Sequence, residues 1–444
     1  MPEDGDTVIK GSVLLKVLSS DNQKVDRLDV YADSVFNGTA GDHRGDTYRY
    51  YWDATGESLN VFHALEARAF DPAGDSAQAV IGVFLIPDTW ATHHGGEILQ
   101  NETWHARDNP HVIDYDVSVR NATLTIEPGC LVKFQPGAWL YCGYVDEGAI
   151  VANGSADSMI VFTSNRWTPL PGDWQSVGIY DYALPSTRFS YCRFEYGGPS
   201  GSSTIVVSNA GVSFDHCRVV SSGGFGIDCW NSGWFRSFTD NVVTAGPWYP
   251  VRIAAQQAGT LGAGDSLNGN GVDAVEICGG LVKDTVTWHK LSVPYVVTQD
   301  VTIASETSLA CLVVAPGCSV KMAGTGFYVG QNAAGAFRAD GRAATIAFTG
   351  RESEPKPGAW KSIWFGEQAI DSLCVLRNCK LEYGGAWDSA NVRIQDCRPE
   401  IRDDSIGYSP GYGIFVGGTV YPAPETLVSS NFFYDDSLGA VNRR

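Results

Sequence analysis

Beyond residue 101 apolar residues recur at every second position in short bursts. ATLTI at 122–126, LVKF at 131–134, GAIVAN at 148–153, IVFTS at 160–164 and VSFD at 212–215 each alternate in this way, and each is bounded by Gly, Asn, Asp or Pro. A period of two, rich in β-branched and aromatic residues, belongs to half-buried strands. No stretch holds the 3.6-residue period long enough for a useful helix, and the intervals between bursts are too short for helical crossovers. The strands therefore stack in successive coils, each burying its inward residues only against its neighbours. The pattern predicts an all-β chain with a long parallel β-helix over 101–444.

Residues 1–88 follow a different plan. VIKGSVLLKVLSS, DRLDVYADSVF, DTYRYYWDAT, HALEARAFDPAG and AQAVIGVFLI are alternating runs separated by turn residues, which predicts a separate β-sandwich. The stretch 89–100 reads as a solvated linker. Its adjacent His93 and His94 point to opposite faces if extended, which makes them a poor metal pair. His63 reads as a packed strand residue.

The long segment is written twice. TWH at 103–105, PG at 128–129, PGDW at 171–174 and CRFEYGG at 192–198 return as TWH at 287–289, PG at 316–317, PGAW at 357–360 and CKLEYGG at 379–385. The offsets are 288 − 104 = 184, 317 − 129 = 188, 360 − 174 = 186 and 382 − 195 = 187. A nearly constant offset means one duplicated unit with small indels in its turns, the copies spanning about 101–280 and 281–444. The second copy is shorter, with NFFYDDSLGAVNRR at 431–444 standing against DNVVTAGPWYPVRI at 240–253. This raises two expectations: a fragment of a longer protein, or a last coil that pairs with a partner, including end-to-end self-association into filaments.

Charge and cysteine content narrow the picture. A formal net charge of −19 argues against nucleic acid or an anionic membrane surface as partner. No apolar run approaches a membrane span, and MPEDGDTVIK has neither a basic nor an apolar signal region. Eleven cysteines in 444 residues are too sparse for a disulfide scaffold, and an odd number leaves one unpaired. Cys130 with Cys318, and Cys192 with Cys379, are repeat equivalents, which predicts small buried apolar residues inside the coils. Stacked disulfides are the competing expectation.

The succession TWH, LTIEPGCLVKF, GAIVANG, IVFTS, PGDW, CRFEYGG, GFGID and YPVRI resembles the right-handed parallel β-helix repeat proteins of the pectin-lyase-like superfamily. Tyr51–Trp52–Asp53, the HALEARA run from His63 and DPAGD at 71–75 resemble bacterial Ig-like domains. These resemblances imply a large secreted or surface-displayed bacterial protein with an N-terminal spacer or adhesion module. The β-helix fold carries lyases, hydrolases, adhesins and inert spacers alike.

The candidate chemistry is thin. Asp215–His216 is the nearest approach to a polar catalytic site on a strand, with His216 as a base if a carboxylate orients it. Asp403–Asp404 and Asp435–Asp436 read as solvated turn residues. The Asn, Asp and Gly-rich stretch 262–276 lacks the spacing of a calcium loop and reads as turns. No cofactor or metal site is expected, structural Ca²⁺ being the one alternative. Residues kept in both copies, Trp104 with Trp288, Trp174 with Trp360 and His105 with His289, are assigned to scaffold. Trp167, Trp230, Trp234, Trp248, Trp364 and Trp387 have no counterpart and are the candidate ligand-binding residues, since exposed aromatics stack on sugar rings. The expectation is a non-catalytic structural or adhesion protein with polysaccharide or other surface proteins as partners. The alternative is a polysaccharide lyase or glycoside hydrolase working in a groove on one face.

Overall fold

The computed structural model describes residues 2–21, 24–59, 61–86, 91–166, 168–262, 264–386 and 390–442. The chain divides into two compact units, Met1–His93 with Asp108–Val112 and Asn165–Pro169 forming one and the remainder the other.

In the first unit a five-stranded sheet runs in the order Thr7–Ile9, Ser76–Ile86, Val61–Phe70, Arg27–Ala32, Val35–Thr39. A three-stranded sheet runs Ser12–Leu18, Thr47–Asp53, Asp42–Arg44. All pairings are antiparallel except that of Thr7–Ile9 with Ser76–Ile86. The alternating apolar positions Val13, Leu15, Leu28, Val30, Leu65, Val83 and Leu85 converge with Trp52 in one core. His63 is packed there as its strand position predicts, 3% exposed and against the Trp52 ring. Its Nδ1 lies 2.6 Å from Asp33 Oδ2 and its Nε2 2.7 Å from the Ser58 carbonyl. Burial works against the imidazolium, but the Ser58 and Asp33 acceptors outweigh it and raise the pKa. Glu57 joins Asp33 and His63 in a group of metal-ligating types. With both ring nitrogens already bonded, the group is satisfied as an ion pair.

The second unit is a parallel β-solenoid of about 14 turns. One ladder of parallel strands runs its length, from His111–Val119 through Leu140–Cys142, Val177–Ile179, Ser203–Ser208, Phe225–Trp230, Val251–Ile253, Val275–Ile277 and Tyr295–Val297 to Phe432–Tyr434. In the first half this ladder is flanked by the sheet containing Leu131–Phe134 and Cys192–Glu195, and by a six-stranded sheet from Glu102–Trp104 to Trp234–Thr239. In the second half two new sheets flank it, one from Gly280–Val282 to Gly439–Val441 and one from Thr285–Trp288 to Glu400–Arg402. No helix among the described residues is long and apolar enough to cross a membrane. The one α-helix among the described residues, Pro424–Ser430, is opened by Pro at its first turn and buries Leu427.

The two copies do not repeat on the same sheets. Leu131–Phe134 and Ser319–Met322 are counterparts, each following Pro-Gly-Cys. Yet Ser319–Met322 stands on the continuous ladder, where the first copy places Leu140–Cys142. The second copy is thus advanced by one strand position along the coil. The change occurs where a 3₁₀ turn, Gln257–Thr260, replaces a strand between Trp234–Thr239 and Thr285–Trp288. Equivalent surface positions of the two copies consequently lie on different sheets.

The duplicated motifs have a packing explanation. Trp174 and Trp360 are fully buried, and their indole N–H groups donate to the carbonyls of Glu195 and Glu382, at 2.8 and 2.7 Å. A Cβ on Gly197 would lie 2.7 Å from the Trp174 ring, and one on Gly384 3.0 Å from that of Trp360. The next residues, Gly198 and Gly385, have φ of +64° and +93°, in the left-handed region. Hence Glu accepts the indole bond, one Gly makes room for the ring, and the other turns the corner. No disulfide links any of the eleven cysteines; ten are buried and Cys278 is half-buried, in line with the packing expectation.

The corners are stitched from coil to coil by side-chain amides. Asn241 Oδ1 accepts from the Cys217 N–H (2.9 Å) and its Nδ2 donates to the Phe214 carbonyl three residues earlier (2.8 Å). Asn431 makes the same pair with the Asp404 N–H (3.0 Å) and the Ile401 carbonyl (3.1 Å). At Asp404 the pattern is half filled: Oδ1 accepts from the Cys379 N–H (2.6 Å) and Oδ2 is buried without a partner. The solvated-turn expectation therefore fails for Asp404, which is 1% exposed. Burial pushes its carboxyl up to about 7. Asp436 behaves alike, raised to about 7 by burial while its Oδ1 accepts from the Ser409 N–H.

Candidate ligand-binding surfaces

The long ladder presents its outward side chains in a column, Ser118, Tyr141, Gly178, Val206 and Asp228 in the first copy, and aromatic residues from the strand ends gather around Tyr141. Tyr141 stands over Gly178 on the next strand, and a Cβ there would lie 2.5 Å from the Tyr180 ring. The glycine lets Tyr180 lie flat along the sheet. Tyr144 follows at the corner, and the rings meet edge to face at centroid distances of 5.9 Å (Tyr141–Tyr144), 6.2 Å (Tyr141–Tyr180) and 5.0 Å (Tyr144–Tyr180). With Trp139 and Asp116 they line an open depression of about 230 Å³. Asp116 Oδ1 accepts from the Trp139 backbone N–H, fixing the strand entry (3.1 Å). Tyr144 keeps 62% of its surface exposed. Burial, reinforced by Tyr144 and Tyr141, pushes the Tyr180 phenol up to about 12, so the Tyr180 hydroxyl is neutral at neutral pH.

The tryptophans singled out from the sequence are distributed over several surfaces. Trp230 and Trp248 come together around Arg252, whose guanidinium lies 5.6 Å from the Trp230 ring and 4.4 Å from that of Phe225, against which Trp248 packs at 5.3 Å. Arg252 donates to both oxygens of Asp228, at 2.9 and 2.5 Å, and Glu276 follows on the next strand. Burial raises the Glu276 carboxyl. Trp234 belongs to another sheet, lying over Gly211 with Arg236 5.2 Å from its ring. Trp364 stands in the second copy beside Tyr328 (5.8 Å) and beneath Arg393 (4.4 Å). Trp167 and Trp387 lie outside the described residues.

Asp215 and His216 are not brought together. Asp215 Oδ2 accepts from the Ser237 hydroxyl (2.5 Å). His216 is a left-handed corner residue, φ +55°, stacked on Tyr191 at 4.6 Å with its Nδ1 3.6 Å from Asp240. In the stretch 262–276 the polar side chains serve turns: Asn270 Nδ2 donates to the Val243 and Leu267 carbonyls, and Asp273 accepts from the Asn270 N–H. His94 stacks on Trp104 at 4.0 Å.

No family model, curated protein or solved structure matches this chain. The surfaces must therefore be judged on their own chemistry. Trp139 is the residue that sequence reasoning passed over. At an offset of 187 its counterpart is Gly326 (139 + 187 = 326), so the copy-against-copy comparison identifies it as unpaired. Tyr180 is replaced in the same way by Gly366, at the local offset of 186.

Proposed function

We propose that this chain is a non-catalytic extracellular structural or adhesion protein that holds glycans on the platform of Trp139, Tyr141, Tyr144 and Tyr180. The observation that carries the reading is a patch of ring faces, open to solvent and flanked by a carboxylate, on a rigid ladder. Aromatic faces stack on the apolar faces of sugar rings while phenols and Asp116 bond the hydroxyls. A shallow surface suits a segment of an extended polymer more than a small ligand, which would be enclosed. Tyr328 and Trp364 lie in the corresponding region of the second copy and extend the reading to a second aromatic surface.

The sequence motifs support reading the N-terminal unit as an Ig-like domain of a bacterial surface protein. They equally support reading the coil as a right-handed member of the pectin-lyase-like superfamily. Self-association through coil edges belongs to the same proposal, and electron micrographs showing monomers alone remove it. The lyase or hydrolase alternative needs an acid and a base at liberty. Asp228 is committed to Arg252, and Asp215 and His216 face different partners, which favours the non-catalytic reading.

Affinity electrophoresis in gels containing neutral and acidic polysaccharides, with a parallel assay for new reducing ends and unsaturated products, tests it. Retardation without products is expected. Depolymerisation that disappears in Asp215→Asn or His216→Gln overturns it.

A further inference from the structure

The second copy carries a cluster of arginines that its counterpart lacks. At an offset of 187 (338 − 151 = 187), Val151 stands against Arg338, Asn153 against Asp340, Ser155 against Arg342, Ser190 against Arg377, Ser213 against Glu400 and Asp215 against Arg402. The same strands fold in the first copy with largely neutral residues, so the scaffold does not require these charges. They gather on three successive strands, Ala336–Asp340, Val375–Arg377 and Glu400–Arg402.

Asp340 is shared. Arg342 donates to both of its oxygens (2.9 and 2.8 Å), Arg338 donates to Oδ2 (3.2 Å), and Arg377 approaches the same oxygen at 3.8 Å. Glu400 accepts from both Arg377 and Arg402. Four guanidiniums thus face three carboxylates, Asp340, Glu400 and Asp403, an excess of 4 − 3 = 1 positive charge in a chain of net charge −19. Asp403, 3.8 Å from Arg402, offsets the far end and leaves the surplus around Arg338, Arg342 and Arg377. Arg377 is the buried member, its side chain 9% exposed, and its Nε is buried with no partner. Beside the cluster lies a depression of about 480 Å³, lined by Val313, Val314, Pro316 and Ala343 and by Arg338 and Arg342 with the Asp340 carboxylate they share; Arg377 stands behind it and is not part of its lining.

We infer that this depression binds a sulfate or phosphate ester carried on a sugar ring. The oxyanion sits against Arg338 and Arg342, and the ring lies on Val313 and Pro316. Guanidinium forks are suited to multi-oxygen anions, and charge-assisted hydrogen bonds there are stronger than neutral ones. The site is separate from the aromatic platform and stands or falls without it.

The test is calorimetric titration of the full chain with glucose 6-sulfate, glucose 6-phosphate and glucose. Saturable binding of at least one ester and none of glucose is expected, and the preferred ester distinguishes the two sources of the anion. Arg338→Gln/Arg342→Gln should weaken binding by about tenfold or more. Arg188→Gln, on the corresponding sheet of the first copy, should leave it unchanged. Arg338 and Arg342 are 40% and 65% exposed, so the double variant keeps its fold, which circular dichroism verifies. Absence of binding at millimolar ester, or equal affinity in the double variant, overturns the inference.

Discussion

Asp404→Asn should stabilise the solenoid at alkaline pH, and the sign can be worked from the structure. Asp404 is buried, accepts one hydrogen bond from the Cys379 N–H and leaves Oδ2 unpartnered. Burial raises its pKa from 3.8 to about 7. A carboxyl with a raised folded-state pKa favours folding when protonated. Its contribution is fully present below about pH 4 and is lost as pH rises through about 7. Roughly three pKa units at 1.36 kcal/mol each make the cost of ionising it about 4 kcal/mol at pH 8, an upper value because local relaxation reduces it. Asparagine keeps the acceptor and never ionises. By analogy with Asn241 and Asn431, the new amide also reaches the carbonyl three residues before Cys379, that of Leu376, for about 1 kcal/mol more. The assay is calorimetric unfolding of both proteins from pH 5 to pH 8, with exchange of the Cys379 amide as a local probe. The variant should melt higher at pH 8, and the difference should shrink steadily toward pH 5. A variant less stable at pH 8, or a difference independent of pH, refutes the reasoning.

Other expectations follow from the same contacts. Gly197→Ala drives a methyl into the Trp174 indole and should destabilise by about 1–3 kcal/mol, read as a lower melting temperature, whereas Gly137→Ala, with open space around it, costs only backbone strain. Asp33→Asn removes the partner of a His63 whose pKa is raised, a contribution present at low pH and lost as pH climbs through the folded value. The variant should therefore destabilise the N-terminal unit more at pH 6 than at pH 9 in parallel unfolding scans. In a thiol-reagent titration of the native protein Cys278 should react first and the ten buried thiols only on unfolding, although burial pushes the Cys278 thiol up to about 12 and slows it.

How much of this was legible depends on which force set each feature. Period-two bursts around Leu124, Val132 and Phe162 specify inward faces directly, so strands and coils could be read from them. The repeated PG, W and EYGG are legible because each meets a local demand: a corner, an indole and the glycine beside it. The one-position advance of the second copy is not legible, because it arises from the pairing of Val251–Ile253, Val275–Ile277 and Tyr295–Val297 around a 3₁₀ turn that no short motif announces. Asp404 was misread as solvated because adjacent aspartates normally face water; only the coil stacked upon it buries it. The aromatic platform is legible in the duplication, since Trp139 and Tyr180 both correspond to glycine in the second copy, but its tyrosines lie close together only through the stacking of coils. The arginine cluster is legible likewise: Asn153 against Asp340 and Ser190 against Arg377 are differences the duplication itself displays.

The central claim is that the aromatic platform of the first copy, Trp139 with Tyr141, Tyr144 and Tyr180, is the glycan-binding surface. It is tested most directly by titrating a neutral oligosaccharide retained in affinity electrophoresis against the full chain and against Trp139→Ala/Tyr144→Ala, two side chains of the open depression whose removal leaves the core intact. The account predicts saturable binding to the wild type and a loss of about tenfold or more in the variant, since stacked rings contribute on the order of 1 kcal/mol or more each. Equal affinity in the two proteins, at unchanged melting temperature, contradicts it.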